Sequence, residues 1–518
     1  MKPLCVILVA ASTLGAQQLR PVWTDPGANV QGSPSPDGRF LSCMDPETGD
    51  LALRDLATGK MRRLTSRKTA GEFAYFSVVS PDSRRVAYAW FNESGFYDLR
   101  LAEADGASPP RILYRNPEAG FVQPSAFSPD GAQILTLLFR KDNTSQIALV
   151  SAADGAVRVL KSLNWVYPKK MDFSPDGRYI VYDTFASNAG EQRDIFLLAA
   201  DGSSERRLVE HPANDLFPLW VRDGARVLFA SDRGGTMDVW SVRVEDGKAA
   251  GPPELLKKDI GRFLPMGVTR AGACYFGLRT GGTDVHLGTA GGKSAPLPSR
   301  YAGRTSAPAW SAGGSRLAYL ARAGTENFGT EARILVIRDM RTGEERALTP
   351  KLAHLENLAW SPDGSRILAS GSDSKGHSGL FTIDVETAAV RLAVSAEEAG
   401  YRGLPGAWAA DGAAVAYVSG HSVRSRDLAT GGEKELYRAP EGVRLDMLAL
   451  LPDLTGWSVR RANLLVTIPA SGGPVSVGAV PPGMKEGVSL DPASGRTAFT
   501  VGAARSEVWV MENFLPKP

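Results

Sequence analysis

The sequence predicts an all-β protein, a β-propeller with about eleven four-stranded blades arranged as two propellers. Three observations support this: a recurring turn phrase, a constant order of short strands around it, and a length of 518 residues. The phrase Ser-Pro-Asp-Gly, or Ser-Pro-Asp-Ser, occurs at Ser35, Ser80, Ser128, Ser174 and Ser361. Weaker copies lie at Arg222–Gly224, Ser311–Gly314, Ala410–Gly412 and Pro452–Asp453. The spacing of roughly 40–50 residues is typical of propeller blades.

The phrase itself predicts a tight turn. Proline presets φ, aspartate can hydrogen-bond its own backbone, and glycine accepts a positive φ. Turn chemistry therefore accounts for Asp37, Asp130, Asp176 and Asp363. We do not expect them to be acid/base catalysts, because an active site needs one or two special positions and not a repeated one.

The repeat around Phe173 shows the strand order. After its turn come the apolar runs Tyr179–Tyr182 and Ile195–Leu198, then a second turn and Arg206–Leu208. Together with the run before the turn, these form a four-stranded antiparallel meander. One such sheet cannot bury both faces, whereas a ring of sheets can. A β-sandwich or a β-solenoid fits a single turn phrase at this long period less well.

Eleven blades exceed the usual ring of about eight, so two propellers are expected. We assign residues 17–298 to the first, with about six blades, and residues 299–518 to the second, with about five. The Gly- and Pro-rich stretch 291–303 is the candidate linker. One alternative stays open: Gln18–Trp23 could supply a missing outer strand to the last unit, closing the second propeller. One ring would then interrupt the other.

The N-terminus predicts export. Lys2 precedes the apolar run Leu4–Leu14, which is too short to span a bilayer, and small residues follow. We expect residues 1–16 to be a signal peptide and the mature chain, without a transmembrane segment, to be periplasmic or secreted. Cys43 and Cys274 are expected to be buried thiols, although export would permit their pairing.

The pattern of an aromatic residue, Ser-Pro-Asp-Gly, an apolar run, a loop and a second apolar run resembles the TolB-like, WD-repeat-like (PD-type) propeller repeats. Trp360–Val394 and Phe173–Val209 match it best. Similar units form the propellers of prolyl-oligopeptidase-type peptidases and the extracytoplasmic half of some membrane kinases. The resemblance implies a fold and not an activity. TolB-type proteins carry an α/β domain before the propeller, whereas the repeats here begin within about thirty residues of the start.

The sequence offers no catalytic signature. It lacks Gly-x-Ser-x-Gly, Cys-x-x-Cys and His-Glu-x-x-His. Its histidines are not in equivalent positions: His211, His286, His354, His377 and His421. A net charge of +3 does not favour nucleic-acid binding. We therefore expect no enzyme and no cofactor; the alternative is calcium bound by Asp183, Asp232 and Asp238.

Aromatic residues that break the repeat are the candidate partner-binding face: Trp90, Phe91, Phe96, Trp165, Tyr167 and Phe217. By contrast, Trp220, Trp310, Trp360 and Trp408 share one position before the turn and are expected in the core. The sequence thus favours a binding scaffold for a protein, peptide or glycan partner. The alternatives are a propeller-type polysaccharide lyase or hydrolase, or the sensor domain of a split signalling or peptidase system.

Overall fold

Antiparallel sheets account for almost all regular structure in the computed structural model. It describes residues 18–24, 30–69, 71–92, 96–142, 144–164, 166–186, 192–280, 282–289, 294–301, 305–322, 333–373, 377–399, 406–440, 445–451, 453–461, 464–479, 488–491, 494–502 and 505–515. Within these ranges the strands form eleven sheets, and one short helix, α1 (Ala396–Ala399), is present. The predicted β-propeller class is confirmed. The predicted signal peptide, residues 1–16, lies outside the described residues.

The chain divides into two compact units, Met1–Thr280 with Arg505–Pro518, and Gly281–Ala504. The first unit starts with β1 (Gln18–Trp23), followed by the strands of blades 1 to 5. These are β2 (Phe40–Met44), β3 (Leu51–Asp55) and β4 (Met61–Arg63); β5 (Phe73–Val79), β6 (Arg85–Phe91), β7 (Tyr97–Glu103) and β8 (Arg111–Tyr114); β9 (Ala119–Phe127), β10 (Gln133–Arg140), β11 (Ser145–Ser151) and β12 (Val157–Leu163); β13 (Met171–Phe173), β14 (Tyr179–Phe185), β15 (Arg193–Ala199) and β16 (Glu205–Val209); and β17 (Asp215–Trp220), β18 (Arg226–Ser231), β19 (Asp238–Glu245), β20 (Lys248–Ala249) and β21 (Glu254–Lys257).

Blade 6 begins with β22 (Arg262–Val268) and β23 (Cys274–Thr280). The first strands of successive blades contact one another from β5 to β22. Blade 6 in turn meets blade 1, where Arg270 N–H donates to the Pro36 carbonyl at 2.8 Å. At the same junction Leu41 and Met266 share one apolar cluster. The six sheets therefore stand in a closed ring.

The second unit begins with β24 (Asp284–Thr289) and β25 (Ala295–Pro296), followed by blades 7 to 10. These are β26 (Thr305–Trp310), β27 (Arg316–Arg322), β28 (Arg333–Asp339) and β29 (Glu345–Leu348); β30 (Leu352–Trp360), β31 (Arg366–Asp373), β32 (Ser378–Asp384) and β33 (Val390–Ser395); β34 (Gly406–Trp408), β35 (Ala414–Ser419), β36 (Ser422–Asp427) and β37 (Glu433–Arg438); and β38 (Leu445–Leu450), β39 (Gly456–Arg461), β40 (Leu464–Pro469) and β41 (Ser476–Ala479). It ends with β42 (Ser489–Leu490) and β43 (Arg496–Val501), which pair with β24 and β25 as blade 11.

The last strand, β44 (Arg505–Glu512), returns to the first unit. It lies between β23 and β1, so blade 6 has the order β22-β23-β44-β1. The second unit is thus inserted in sequence between the second and third strands of blade 6. The structure places the boundaries at 280/281 and 504/505, not at 298/299. The expected pairing of Gln18–Trp23 with the last strand of the chain, and the interruption of one propeller by the other, are confirmed. The strand completes a blade of the first propeller, however, so its assignment to the second one is wrong.

Long-range pairing causes this difference. The assignment of residues 17–298 to six complete blades treats β23 and β24 as neighbours in one blade, because they follow one another at the usual spacing. In the structure β23 pairs with β44 over seven residues, from Cys274 opposite Met511 to Thr280 opposite Arg505. The next strand, β24, pairs instead with β43. Strands that are neighbours in sequence, β23 and β24, therefore belong to different blades, and so do β43 and β44.

The turn phrase behaves as predicted. In each full copy the serine hydroxyl donates to the aspartate: Ser35 to Asp37, Ser80 to Asp82, Ser128 to Asp130, Ser174 to Asp176 and Ser361 to Asp363. The same carboxylate accepts a backbone N–H two residues later, at 3.0 Å in the case of Ser365. Hydrogen bonds from Ser361 and Ser365 lower the pKa of Asp363 to about 2. These carboxylates are committed to the turns.

An arginine at the start of the second strand joins each of four blades to the next. Its guanidinium donates to the glycine carbonyl of the next turn phrase and stacks on the aromatic residue just before that phrase. The four copies are Arg85 with Gly131 and Phe127, Arg316 with Gly364 and Trp360, Arg366 with Gly412 and Trp408, and Arg496 with Gly314 and Trp310. We call this contact the arginine clamp. The four tryptophans predicted to be core, Trp220, Trp310, Trp360 and Trp408, are all buried.

A second set of arginines joins the outer strands. Arg111 on β8 donates to the Ala152 carbonyl of blade 3 at 2.6 Å, and Arg158 on β12 donates to the Ala200 carbonyl of blade 4 at 3.2 Å. Arg62 and Arg346 repeat this contact with Ala104 and Val385. The outer edges of the blades are thereby fixed to one another as well as the inner ones.

We expect Arg366→Met to destabilise the second unit by about 2 kcal/mol, since it removes a charged hydrogen bond and a cation–π contact while keeping the aliphatic stem. Urea unfolding followed by tryptophan fluorescence measures this loss. Arg391→Met is the matched control, because Arg391 is an exposed arginine of the same blade. An equal effect of the two substitutions would contradict a stabilising role for the clamp.

A chain that starts at Asp25 and lacks β1 should melt several degrees lower in its first unit. β44 would become an unpaired edge, and the ladder from Gln18 opposite Glu512 to Trp23 opposite Val508 would be lost. Differential scanning calorimetry should show one transition shifted and the transition of the second unit unchanged, relative to a chain that starts at Gln17. A shift of the second unit alone would refute this pairing.

Candidate partner-binding face

Three phenylalanines occupy one repeat position. Phe91, Phe139 and Phe185 each lie eleven residues after the serine of their turn phrase, at or next to the end of the second strand of blades 2, 3 and 4. All three side chains are partly exposed. In blade 5 the corresponding residue is Asp232. Equivalent positions of a propeller lie at the same end of the ring, so these rings mark one end of three consecutive blades.

Around Phe91 six rings form a continuous cluster, which we call the aromatic patch: Phe73, Tyr75, Phe76, Phe91, Tyr97 and Phe121. Phe73 stacks on Phe91 at 5.1 Å between ring centroids, and Tyr97 meets Phe121 edge-on at 4.8 Å. All six side chains are partly exposed. Three strands of blade 2 and the first strand of blade 3 supply them, so the patch bridges two blades.

The backbone holds part of this patch in an unusual conformation. Phe76 has φ of 40° at a register shift in β5. A β-bulge turns a side chain out of the strand alternation, and a bulky residue with positive φ is uncommon. Next to it, the Tyr75 hydroxyl accepts a hydrogen bond from Gln31 at 3.2 Å. Burial raises the pKa of Tyr97 to about 12. The patch is thus a fixed arrangement of neutral rings.

A second group lies at the same end of blades 3 and 4. Tyr167 approaches Phe139 edge-on at 6.0 Å, and the ammonium of Lys169 lies 4.8 Å from the Tyr167 ring centroid. Lys141 similarly covers Phe96 at 4.9 Å. The face therefore combines aromatic rings with ammonium groups that lie over two of them.

A buried ion pair holds the segment that carries Tyr167. Asp183 Oδ1 accepts the backbone N–H groups of Lys169 and Lys170 at 3.1 and 2.9 Å. Its other oxygen pairs with Arg193 at 3.0 Å, and Arg193 also donates to the Tyr167 carbonyl at 3.1 Å. Both side chains are almost fully buried. This blade fixes residues 167–170 with polar groups that its neighbours do not share.

The structure buries some of the six predicted site residues and exposes others. Trp90 is 2% exposed and donates to Glu72 at 3.2 Å, so its placement on the surface is wrong. Phe217 is 7% exposed, so its assignment to an exposed face is also wrong. Phe91, Phe96 and Tyr167 are partly or largely exposed, and their role in binding stays a prediction. Trp165 lies outside the described residues.

Sequence reasoning missed most of the aromatic patch. The first strands of blades 2 and 3 supply Phe73, Tyr75, Phe76 and Phe121. Aromatic residues in these strands are expected in the core when only the sequence is considered. The available signal was the phenylalanine recurring eleven residues after the serine in three successive repeats. Trp90 was misplaced although it stands in a buried apolar run, Val86–Trp90.

The calcium candidates bind groups of the chain itself. Asp232 accepts from the Asn214 backbone at 2.9 Å, and Asp238 from Thr236 at 2.7 Å. Asp183 is paired with Arg193, as described above. In the part of the chain that the structure describes, no group of three His, Cys, Asp or Glu side chains is placed to hold a metal ion. Cys43 and Cys274 are buried free thiols, and burial raises the pKa of each to about 12.

Two of the histidines, His354 and His377, lie in blade 8. His354 on β30 contacts Glu356 at 2.9 Å, and His377, just before β32, contacts Asp373 at 2.9 Å. In the ladder of β30 with β31, His354 stands opposite Ser372, beside Asp373. Blade 8 therefore carries two histidine–carboxylate pairs at one end.

Comparison with known proteins agrees with the fold. Residues 80–251 match the TolB beta propeller domain model. The Tol-Pal system protein TolB of Bordetella parapertussis is 32% identical over 170 residues, which is 32% of this chain and 36% of the relative. Dipeptidyl-peptidase 5 of Porphyromonas gingivalis is 33% identical over 75 residues, which is 14% of this chain and 11% of that enzyme. The chain thus spans about a third or less of the length of these relatives.

Among solved structures, a putative TolB from Agrobacterium tumefaciens aligns with 46% of this chain and 89% of its own, at 23% identity and a TM-score of 0.38. The tricorn protease aligns with 89% of this chain and 50% of its own, at 14% identity and a TM-score of 0.34. The described residues contain no helix long and apolar enough to cross a membrane.

We expect Trp90→Ala to destabilise the first unit by about 3–5 kcal/mol, as for other buried aromatic residues. Tyr167→Ala should change its stability by less than about 1 kcal/mol, because that side chain is 40% exposed. Calorimetry of the two variants measures this contrast. A Trp90→Ala protein as stable as the wild type would show that Trp90 is not a core residue.

Proposed function

We propose that this chain of TolB-like propeller repeats is a periplasmic or secreted binding scaffold that captures a protein partner and performs no catalysis. The observation that carries the proposal is the aromatic patch on the first propeller. Six half-buried rings at one end of two neighbouring blades form a larger apolar surface than the fold needs there. Such clusters, with polar groups at their rim, are typical of protein-binding sites.

The geometry of the patch favours a protein over a glycan. A sugar stacks on an open ring face, whereas these rings pack against each other, edge to face and stacked. Their exposed edges form an uneven apolar surface into which aliphatic and aromatic side chains can pack. Rigid aromatic side chains also lose little conformational entropy when they bind. Lys141 and Lys169 lie nearby and favour an acidic rim on the partner.

The location outside the cytoplasm rests on the apolar leader predicted at residues 1–16. A role without catalysis is supported by the commitment of the repeated turn carboxylates to hydrogen bonds within the turns. It is further supported by the pairing of Asp183 with Arg193, which leaves this carboxylate no free oxygen for acid/base work.

A second candidate function, hydrolysis or elimination on a polysaccharide, follows from blade 8. The pairs His354–Glu356 and His377–Asp373 have the composition of general acid/base groups. Incubation with acidic polysaccharides and detection of new reducing ends tests it. Turnover that disappears in the variant His354→Gln with His377→Gln would support this candidate and refute a purely binding role.

The binding proposal predicts that Phe121→Ser, with Tyr97→Ser as a second variant, weakens capture of a periplasmic partner at least tenfold. Each removes a ring from the middle of the patch. The assay is a pull-down from periplasmic extract followed by titration of the identified protein. Leu255→Ser is the matched control, since Leu255 is a 47% exposed apolar residue on the outer strand β21. Equal capture by the three variants and the wild type would refute the assignment of the face.

A further inference from the structure

One position of the repeat, the residue just before the turn phrase, packs against the preceding blade of the ring. In the second unit three tryptophans occupy this position, and all three are buried: Trp310, Trp360 and Trp408. Blade 11 has Leu490 there, because the Asp491 N–H donates to the Arg496 carbonyl as the first residue of a turn phrase does. Leu490 is 47% exposed. A position that is core in three blades is therefore open to solvent in blade 11.

Three further apolar residues lie on the same face of blade 11. In the ladder of β42 with β43, Leu490 stands opposite Thr497. Phe499 and Val501 follow Thr497 at every second position, and Val488 precedes Leu490 by two residues. Val488 and Val501 are exposed, and Phe499 is partly exposed. In the second strands of blades 5 and 7, by contrast, five consecutive residues are buried. One face of blade 11 is thus an apolar surface that no blade covers.

The uncovered face lies at the junction of blades 10 and 11. Apolar clusters join blade 7 to 8, 8 to 9, 9 to 10 and 11 to 7. Within the described residues, every buried apolar side chain of blade 10 belongs to the cluster with blade 9. Every one of blade 11 belongs to the cluster with blade 7. Blades 10 and 11 therefore share no apolar core in the part of the chain that the structure describes.

The side of blade 10 that points away from blade 9 is small and polar. Trp457 and Val459 of β39 pack on blade 9, so Ser458 between them points to the opposite side. The ladders of blade 10 continue this row with Thr467 and Ser476. Blade 10 therefore offers hydroxyl groups, and not an apolar surface, on the side away from blade 9.

The arginine clamp indicates how wide the space between these blades is. Blades 2 and 3 of the six-membered first ring carry the clamp, and so do blades 11 and 7, 7 and 8, and 8 and 9 of the second unit. Equal contacts set equal rotations between blades, so five blades of this kind fall about one blade short of a full circle. In blade 10 the clamp position is Gly456, which has no side chain to reach blade 11. The space therefore suits one further sheet.

The available area decides between a second copy of this chain and a different partner. A face of four strands, with six residues in each central strand, measures about 400 Å² at ordinary strand spacing. Two copies joined through blade 11 would bury about 800 Å² in total, which is the size of a crystal-packing contact. A second copy also cannot enter the space, since its own blade 7 covers the other side of its blade 11. A sheet between blades 10 and 11 would touch both faces and bury about 800 Å² of this chain, as in stable complexes.

We propose that the second unit docks an amphipathic β-hairpin of a protein partner between blades 10 and 11. The apolar side of the hairpin packs on Leu490, Phe499 and their neighbours, and its polar side faces Ser458 and Thr467. The hairpin stands where a sixth blade would stand, and it gives Leu490 the cover that Trp360 receives from blade 7. This site goes beyond the proposed function, because it uses neither the aromatic patch nor the first unit.

Thiol labelling shows whether the face is open in the free chain. Beyond the predicted leader the chain has two cysteines, Cys43 and Cys274, and both are buried. We expect Leu490→Cys to react with N-ethylmaleimide within about threefold of the rate of Leu392→Cys, an exposed residue of the outer strand β33, and about a hundredfold faster than the buried Val459→Cys. A Leu490→Cys thiol as slow as that of Val459→Cys would overturn the inference, since the face would already be covered.

The docking test uses a hairpin of this chain as its probe. The peptide has the sequence of residues 414–427 with Val415→Thr and Tyr417→Thr, closed into a ring by a D-prolyl-glycine link. It keeps Val418 and Val423, through which β35 and β36 pack on blade 10. The probe is therefore apolar on the side by which one blade packs on the next, and polar on the other. We expect fluorescence anisotropy to give a micromolar dissociation constant with the full mature chain.

Substitutions on both sides of the contact locate the binding. Leu490→Glu should weaken binding of the probe about tenfold or more, and Val488→Ser should weaken it in the same direction. Leu392→Glu is the matched control and should bind the probe as the wild type does, because Leu392 is an exposed leucine of blade 8. A probe that also carries Val418→Thr and Val423→Thr should not bind. Thermal unfolding checks that the protein variants are folded.

Two results of the docking test would overturn the inference: no binding of the probe at millimolar concentration, or equal binding by Leu490→Glu and the wild type. A dimer in sedimentation velocity that Leu490→Glu dissociates would assign the face to a second copy and would overturn it as well. Partner capture through the aromatic patch should be unchanged in Leu490→Glu. Failure of the hairpin test with that capture intact would therefore refute this site alone and leave the proposed function standing.

Discussion

The packing of each blade on the next is the constraint on which the fold depends, and at four junctions the arginine clamp fixes it. A four-stranded sheet is narrow, and its stability comes from the faces it shares with its neighbours. The clamp places a guanidinium where it satisfies a carbonyl of the next turn and covers an indole or phenyl ring. It can do so because the turn phrase fixes its starting point: the serine hydroxyl of Ser361 accepts the backbone N–H of Arg366 at 2.9 Å. Local turn chemistry thereby sets the geometry between blades.

Blades 6 and 11 are each completed by strands that are remote in sequence. In the first propeller the N-terminal strand β1 and the C-terminal strand β44 complete blade 6. In the second, the first two and the last two strands of the inserted segment complete blade 11. Blade 6 therefore cannot be completed before β44 has been made, nor blade 11 before β42 and β43. Pairings of this kind carry a high loop-closure entropy and are expected to form late in folding.

The sequence was sufficient for the propeller class, because the turn phrase and the strand order are local signals that act in the same way in every repeat. It was not sufficient for the path of the chain. β23 is followed by β24 at the spacing of an ordinary hairpin, and nothing local distinguishes β44 from β24 as its partner. The choice depends on which strand buries its apolar residues there, and Val508 and Val510 of β44 do so beside Leu41. The site was predictable only in part for a similar reason: Phe91 stood out, but the burial of Trp90 depends on packing between blades.

Repetition in the fold makes departures from the repeat the best guide to function. A position that is filled by chemically similar residues in blades of both propellers serves the fold, as the turn carboxylates and the clamps do. The phenylalanines at the end of the second strands are confined to three consecutive blades, blades 2 to 4. The buried pair of Asp183 with Arg193, which fixes the segment that carries Tyr167, lies in the same arc. The packing of one blade on the next gives no reason for exposed aromatic residues in one arc alone, whereas a ligand that binds to that arc does.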